Sequence, residues 1–436
     1  MFLCILQHMK RRIIENLKQW KHSDNRKPLI LDGARQVGKT WILLEFGKSE
    51  FSSVAYFNCD RNTQLEEIFK KSFEKDIVLR NLEALAGKPV TGDTLIIFDE
   101  IQETPVVLTA LKYFQEQLPE LYIACAGSLL GLSLHTGTGF PVGKVDILKI
   151  FPMDFAEFVL AVKGDKFYDI ITKDPLDQLE TFHETFVELL RQYYFVGGMP
   201  EAVQAFANGR SISDIRTIQN AILYSFNKDI SKHADAKDIQ RIHQVWNSIP
   251  QQLAKENKKF VYGAIRAGAR AKEFESAIQW LMDAGIVYKV NRIRKAGIPL
   301  KFYEDAEAFK LFFLDCGLMG AFSDTPPEDI LIGSKIFEEY KGAFTELFVL
   351  QQFKSTLDSA PFYFSADDSK QELDFILQMN GKLVPIEVKA EENLRAKSLR
   401  QFVLEHEGIK GIRISMSKYR EQDWMTNIPL YAAGRF

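Results

Sequence analysis

Three periods of apolar and polar residues succeed one another along the chain. Between residues 28 and 150, short unbroken apolar runs, "PLILD", "SVAYFNC", "TLIIFDE" and "LYIACAGS", alternate with helix-length segments. Runs of that length without alternation suit strands buried on both faces, which predicts a parallel sheet with helical crossovers. A helix over residues 1–22 precedes them. Near "KIFPMDFAEFV" the period lengthens to that of amphipathic helices, which continue to about residue 250. Residues 258–303 then read as helix, turn, helix and two-stranded ribbon, and the chain closes with the helix "FTELFVLQQF", a hairpin and the strand "GIRISM". The domain boundaries expected from these changes are 1–150, 151–250, 251–325 and 326–436.

The hairpin is the sharpest local prediction. In "ELDFILQMNGKLVPIEVK", Asn380-Gly381 marks a two-residue turn. Folding there places Met379 opposite Lys382 and Asp374 opposite Glu387. Leu373, Phe375, Leu377 and Met379 then share an apolar face with Val384, Ile386 and Val388. The other face pairs Asp374 with Glu387 and Glu372 with Lys389. Two carboxylates directly opposite repel, so a shared proton, a nearby cation or a divalent metal has to offset them.

Composition narrows the class. The 436 residues are 46% hydrophobic with a formal net charge of −3, which suits several buried cores and gives no global basic character. Four scattered cysteines without a C-x-x-C argue against zinc ribbons and disulfide frameworks. No apolar window reaches bilayer length, and a cytoplasmic protein with no membrane partner is expected. The histidines, His135 and His183 among them, lack metal-ligand spacing.

Chemistry enters at Gly33–Thr40, "GARQVGKT", which fits G-x-x-x-x-G-K-[ST] behind a strand. Gly33, Ala34, Arg35, Gln36, Val37 and Gly38 would wrap backbone N–H groups around the phosphates of ATP. Lys39 would reach the β and γ oxygens, and Thr40 would bind Mg²⁺. "LIIFDE" supplies Asp99 for the Mg²⁺ shell and Glu100 to polarise the attacking water. Ser128, at the end of "CAGS", is placed to sense the γ-phosphate.

The stretches "LDGARQVGKT", "IIFDEIQ", "AGSLLG", "FPMDFAEF" and "GGMPEAV" resemble the bacterial and archaeal AAA-type ATPases with an uncharacterised C-terminal domain. The resemblance implies ATP binding and hydrolysis, and it allows a homo-oligomer. Relatives commonly carry an arginine where this chain has Lys144. No arginine occurs between Arg80 and Arg191, so either hydrolysis is slow or a finger such as Arg35 or Arg191 comes from elsewhere.

Residues 251–303 hold eleven Lys and Arg against four Asp and Glu. A helix–turn–helix with a basic ribbon is the winged-helix arrangement, so Lys258, Lys259, Arg266, Arg270, Arg292, Arg294 and Lys295 are expected to contact DNA, mostly at phosphates. The acidic second helix, "EFESAIQWLMDAG", argues against base reading. Glu387-Val388-Lys389 after Asp374 resembles the PD-(D/E)xK nuclease fold. That resemblance implies metal at Asp374 and Glu387, a Lys389 that orients water, a third acid at Glu346 and support from Gln401. The expected architecture is α/β: a P-loop parallel-sheet AAA-type module, a helical and winged-helix middle, and a restriction-endonuclease-like C-terminal domain. Its expected function is an ATP-dependent protein acting on DNA. The alternative is a nucleotide-dependent switch for partner assembly whose nuclease-like domain is an inactive scaffold.

Overall fold

The computed structural model describes residues 10–128, 131, 140–255, 258–333, 335–366, 371–390 and 396–435, with the backbone alone for 335–339. His135 and the first nine residues of the expected N-terminal helix lie outside them. The chain divides into two compact units, residues 10–151 with 283–285, and the remainder.

The first unit contains α1 (Ile13–Lys21), β1 (Leu29–Asp32), α2 (Lys39–Glu50), β2 (Ser53–Asn58), α3 (Thr63–Lys71), α4 (Lys75–Ala86), β3 (Thr94–Asp99), α5 (Pro105–Gln117), β4 (Tyr122–Gly127) and β5 (Asp146–Lys149). Its sheet has the order β2-β3-β4-β1-β5, and every pairing is parallel. All six residues of β3 are buried, as an unbroken apolar run predicts when helices cover both faces. Phe57, Phe98, Phe69 and Phe114 fill one side of the sheet. Because β4 lies between β1 and β3, the ends of three strands converge where the P-loop leaves β1.

The second unit begins with helices: α6 (Phe155–Lys163), α7 (Asp165–Lys173), α8 (His183–Val196), α9 (Pro200–Ala207), α10 (Ile212–His233), α11 (Ile239–Leu253) and α12 (Ala271–Asp283). There follow β6 (Val287–Ile293), β7 (Glu304–Phe313), α13 (Cys316–Phe322), α14 (Pro327–Ile332), α15 (Lys335–Thr356), β8 (Phe362–Ser365), β9 (Glu372–Met379), β10 (Lys382–Lys389), α16 (Lys397–Glu405), β11 (Gly411–Ser415), β12 (Arg420–Glu421) and β13 (Met425–Pro429). Fully buried Asp315 organises the helical part. It accepts hydrogen bonds from the Gly198 N–H (2.6 Å), the Leu318 N–H (3.0 Å) and Gln351 Nε2 (2.9 Å). Gly198 returns its carbonyl to the Met153 N–H at 2.7 Å. A Cβ on Gly198 would run into the Met153 carbonyl, and one on Gly197 into the Asp315 carboxylate.

The sheet of this unit has eight strands in the order β12-β13-β11-β10-β9-β8-β6-β7. The ribbon β6–β7 is therefore no free wing, because β6 pairs in parallel with β8. The boundary expected at 325/326 falls inside one continuous sheet. The hairpin β9–β10 has the register expected of it, with Met379 opposite Lys382 and Phe375 opposite Ile386. Asn380 and Gly381 both take positive φ, 49° and 72°, as the tight turn requires.

One feature departs from the regular hairpin. Between β8 and β9 the register shifts, so that Asp374 and Phe375 together stand against Tyr363. Such a bulge turns the residues beyond it to the other face. Leu373 consequently joins Ile376 in the core under Leu399 and Phe402 of α16, while Phe375 meets Phe353 of α15 at 5.5 Å between ring centroids. The single apolar face expected from strict alternation is thus split at residue 374.

Candidate functional site

The nucleotide site is assembled at the carboxyl edge of the parallel sheet. Gln36 and Gly38 have φ of 66° and 94°, which curls the loop so that α2 starts at Lys39. Gly33 has no space for a side chain, because a Cβ would meet the Ile150 carbonyl. Arg11, 7% exposed, braces the loop from outside. Its guanidinium donates to Val37 O at 3.1 Å and Phe151 O at 2.8 Å. No motif marks Arg11 in the sequence.

Lys39 is buried and donates to Gly33 O at 2.8 Å and Ala34 O at 2.7 Å. Burial lowers its ammonium to about 8, although Glu100, Asp32 and Asp99 favour its charged form. The Thr40 hydroxyl lies 3.0 and 2.9 Å from the two Asp99 carboxylate oxygens, and Tyr56 donates to the same carboxylate at 2.8 Å. Burial pushes Asp99 above its ordinary value, against the hydrogen bonds of Tyr56 and Thr40. Glu100 sits in a left-handed backbone (φ 49°). Ser128 Oγ donates to its Oε2 at 3.0 Å and Gln102 Nε2 at 2.7 Å. The loop, Lys39, Thr40, Asp99, Glu100 and Ser128 are thereby brought together as expected, and Tyr56 and Gln102 are additions. Lys144 pairs with Glu116 at 3.0 Å.

A hard hydroxyl and carboxylate pair beside a buried ammonium and a helix N-terminus fits Mg²⁺ with a polyphosphate. Thr40 and Asp99 are the residues that would hold the metal.

The second cluster lies where α15, β7, β9 and β10 meet. Glu346, on α15, receives the Lys258 ammonium in a hydrogen-bonded pair, with Lys310 Nζ 3.6 Å from its other oxygen. Lys310, 1% exposed, also meets Glu372 at 3.0 Å. Asp374, turned by the bulge, accepts the Val388 N–H at 2.7 Å and stands near enough to Glu346 for the two carboxyls to influence each other. Burial, then the neighbouring Glu346, pushes the Asp374 carboxyl well above the carboxylate range. Burial alone would raise Glu346 too, but Lys258 and Lys310 hold it below its ordinary value.

Lys389 pairs with Glu387 at 2.7 Å, which corrects the expected Lys389–Glu372 bridge. Beside Glu387 in register, on β11, stands Arg413. Gln401 is exposed and donates to Glu405 at 2.9 Å, away from the cluster.

Glu346 Oε2 and Glu387 Oε2 are buried without a hydrogen bond, yet ammonium groups stand around these acids. Among the described residues, no group of three or more His, Cys, Asp and Glu is arranged to hold a metal ion. Glu346, Asp374 and Glu387, the expected metal ligands, thus stand among the ammonium groups of Lys258, Lys310 and Lys389 in this structure.

The residues expected at DNA are divided. Lys258 is engaged with Glu346, and Arg292 with buried Asp305 at 2.6 Å. The cause is the sheet: pairing of β6 with β8 turns part of the ribbon's charge inward. Arg266 pairs with Glu273, and Lys259 is partly buried. Arg270 and Lys295 are exposed, and Arg294 is 56% exposed while touching Asp305 at 3.1 Å.

Three family profiles match successive parts of the chain: the AAA domain over residues 25–159, a domain of unknown function (DUF8612) over 187–329 and another (DUF4143) over 341–432. No curated protein sequence matches. Among solved structures, a Walker-type ATPase of Pyrococcus abyssi is similar at 14% identity with a TM-score of 0.48, covering 72% of this chain and 96% of that one. The ORC2 protein of Aeropyrum pernix, in its ADPNP–ADP complexes, is similar at 12% identity and a TM-score of 0.35, covering 76% and 92%. Cdc6p from Pyrobaculum aerophilum is similar at 13% identity and a TM-score of 0.28, covering 73% and 96%. With its profile match, its strand order and its assembled P-loop, the first unit has the fold of a P-loop module of the AAA type.

Proposed function

We propose that the chain is a slow, Mg²⁺-dependent ATP hydrolase that acts as a nucleotide-controlled switch on DNA, with the C-terminal hairpin as scaffold. The contact of Thr40 with Asp99 beside buried Lys39 carries the nucleotide part. Mg²⁺, when bound, would neutralise charge on the β and γ oxygens. Lys39 would exchange its carbonyl partners for phosphate, and the N–H groups of the loop and the first turn of α2 would orient the anion.

Ser128 has a single hydroxyl proton, which it gives to Glu100. A γ-phosphate competes for the same proton, so its arrival would release Glu100 to polarise water. Lys144, engaged with Glu116, is a poor arginine finger, which supports slow turnover. Lys258, Lys310 and Lys389 on the acids of this cluster support the scaffold reading over a cutting site. The exposed Arg270, Arg294 and Lys295 support contact with DNA.

The test is phosphate release from Mg-ATP by the full chain, with and without DNA, alongside incubation of DNA with Mn²⁺. The expected result is Glu100-dependent hydrolysis that DNA alters, with the DNA left intact. Absence of any Mg-ATP thermal shift would remove the nucleotide part, and cleavage lost in Asp374→Asn would remove the scaffold part.

Tyr56→Phe isolates one contribution. Loss of its hydrogen bond leaves Asp99 less well oriented, and Tyr56 is 39% exposed, so the effect is about 1 kcal/mol. The Mg²⁺ concentration for half-maximal hydrolysis should rise about fivefold while ATP affinity stays constant. A titration of Mg²⁺ at saturating ATP checks it.

A further inference from the structure

The loop joining β6 to β7, residues 294–303, reads "RKAGIPLKFY" and carries three basic residues and no acid. It is firmly built. The Arg294 N–H meets Tyr303 O at 3.2 Å and closes it. Leu300, 2% exposed, plugs into the core beside Ile293, Phe362 and Leu373, and its N–H donates to Gln378 Oε1 at 3.0 Å.

Against that anchoring, Phe302 is 84% exposed and Ile298 45%. An apolar side chain standing singly in water is ordinary, but here an aromatic ring is held out by a fixed loop among cations. Lys301, 78% exposed, touches Glu304 at 2.5 Å, and Arg294 touches Asp305. The exposed Lys301 ammonium can exchange Glu304 for phosphate, and Arg294 is half exposed while buried Asp305 also holds Arg292. Lys295 is exposed beside them.

We propose that this loop is a stacking platform for an unpaired nucleic-acid strand, with a base on the Phe302 ring and the flanking phosphates on Arg294, Lys295 and Lys301. This rests on the reading that the chain acts on DNA, and it moves the contact from the face of the ribbon to its tip. An aromatic ring flanked by cations binds a strand without regard to sequence, because every base presents a π face. A duplex hides those faces, so unpaired substrate is preferred. An anionic bilayer would also attract the cations, but one ring and one isoleucine offer little to insert, and stable anchoring takes stronger signals.

The test uses the full chain and fluorescein-labelled oligothymidylate, the same length of duplex, and phosphatidylcholine–phosphatidylserine vesicles, each at low and raised salt. Oligothymidylate should bind best. Phe302→Ala should weaken it about tenfold and Phe302→Trp should preserve it, with unfolding temperatures unchanged. Lys295→Glu with Lys301→Glu should weaken it further and flatten its salt dependence. Binding of oligothymidylate or duplex that Phe302→Ala leaves unaltered overturns the platform and keeps the action on DNA. Vesicle binding without nucleic-acid binding, or no binding at all, overturns both.

Discussion

Lys310→Met is expected to lower the unfolding free energy of the full chain by about 1.5–3 kcal/mol, the usual worth of a hydrogen bond to a charged group. Lys310 is 1% exposed and serves two acids, Glu372 at 3.0 Å and Glu346 at 3.6 Å. Glu346 retains Lys258, so the larger loss falls on Glu372. Methionine keeps the length of the side chain, which separates the lost charge from a lost packing volume. Adding Glu372→Gln should recover more than half the deficit, since both partners of the closer pair are then neutral. Urea unfolding of the two variants and the parent measures this. A loss below 1 kcal/mol would mean that water or neighbouring groups already replace the ammonium.

Lys39→Met should leave ATP hydrolysis about 10²–10³-fold slower, comparable with the removal of a preorganised donor from a developing charge. The stabilisation that Mg-ATP gives to unfolding should vanish with it. Without nucleotide the variant should unfold at the parent's temperature or slightly above. The reason is that burial holds the Lys39 ammonium down at about 8, so the fold bears a cost for a charge it keeps for phosphate. Calorimetry with and without Mg-ATP separates the effects. A variant that still gains stability from Mg-ATP would place the nucleotide elsewhere.

The P-loop was legible because its residues are contiguous and their chemistry dictates their spacing. The hairpin register was equally legible, since Asn380-Gly381 permits one turn and the turn sets the pairs from Met379–Lys382 to Phe375–Ile386. Its chemistry was not. The bulge at Asp374 depends on β8, nine or more residues upstream, and it brings Asp374 under the influence of Glu346 on α15. Lys258 and Lys310 reach that site from distant positions that no local pattern links.

The motifs "FPMDFAEF" and "GGMPEAV" also have a physical account. They are where the Met153 N–H donates to Gly198 O and the Gly198 N–H donates to Asp315, which makes them packing signatures rather than chemical ones. The winged-helix pattern misled for a related reason. The second helix and the ribbon are present, with only a three-residue 3-10 turn, Tyr262–Ala264, where the first helix was expected, and whether a ribbon stays free depends on what pairs with its edge.

The eight-stranded sheet bears on how this chain can be dissected. Two profiles of unknown function end and begin at residues 329 and 341, yet β6 on one side of that gap is hydrogen-bonded to β8 on the other. A fragment starting in the gap would leave the edge of β8 bare, with Phe362 and Phe364 beside it. Bare edges of that kind recruit other chains and aggregate. The two sequence families are halves of one folding unit here, and a gene that inherited either half alone would have to supply a new neighbour for the severed strand.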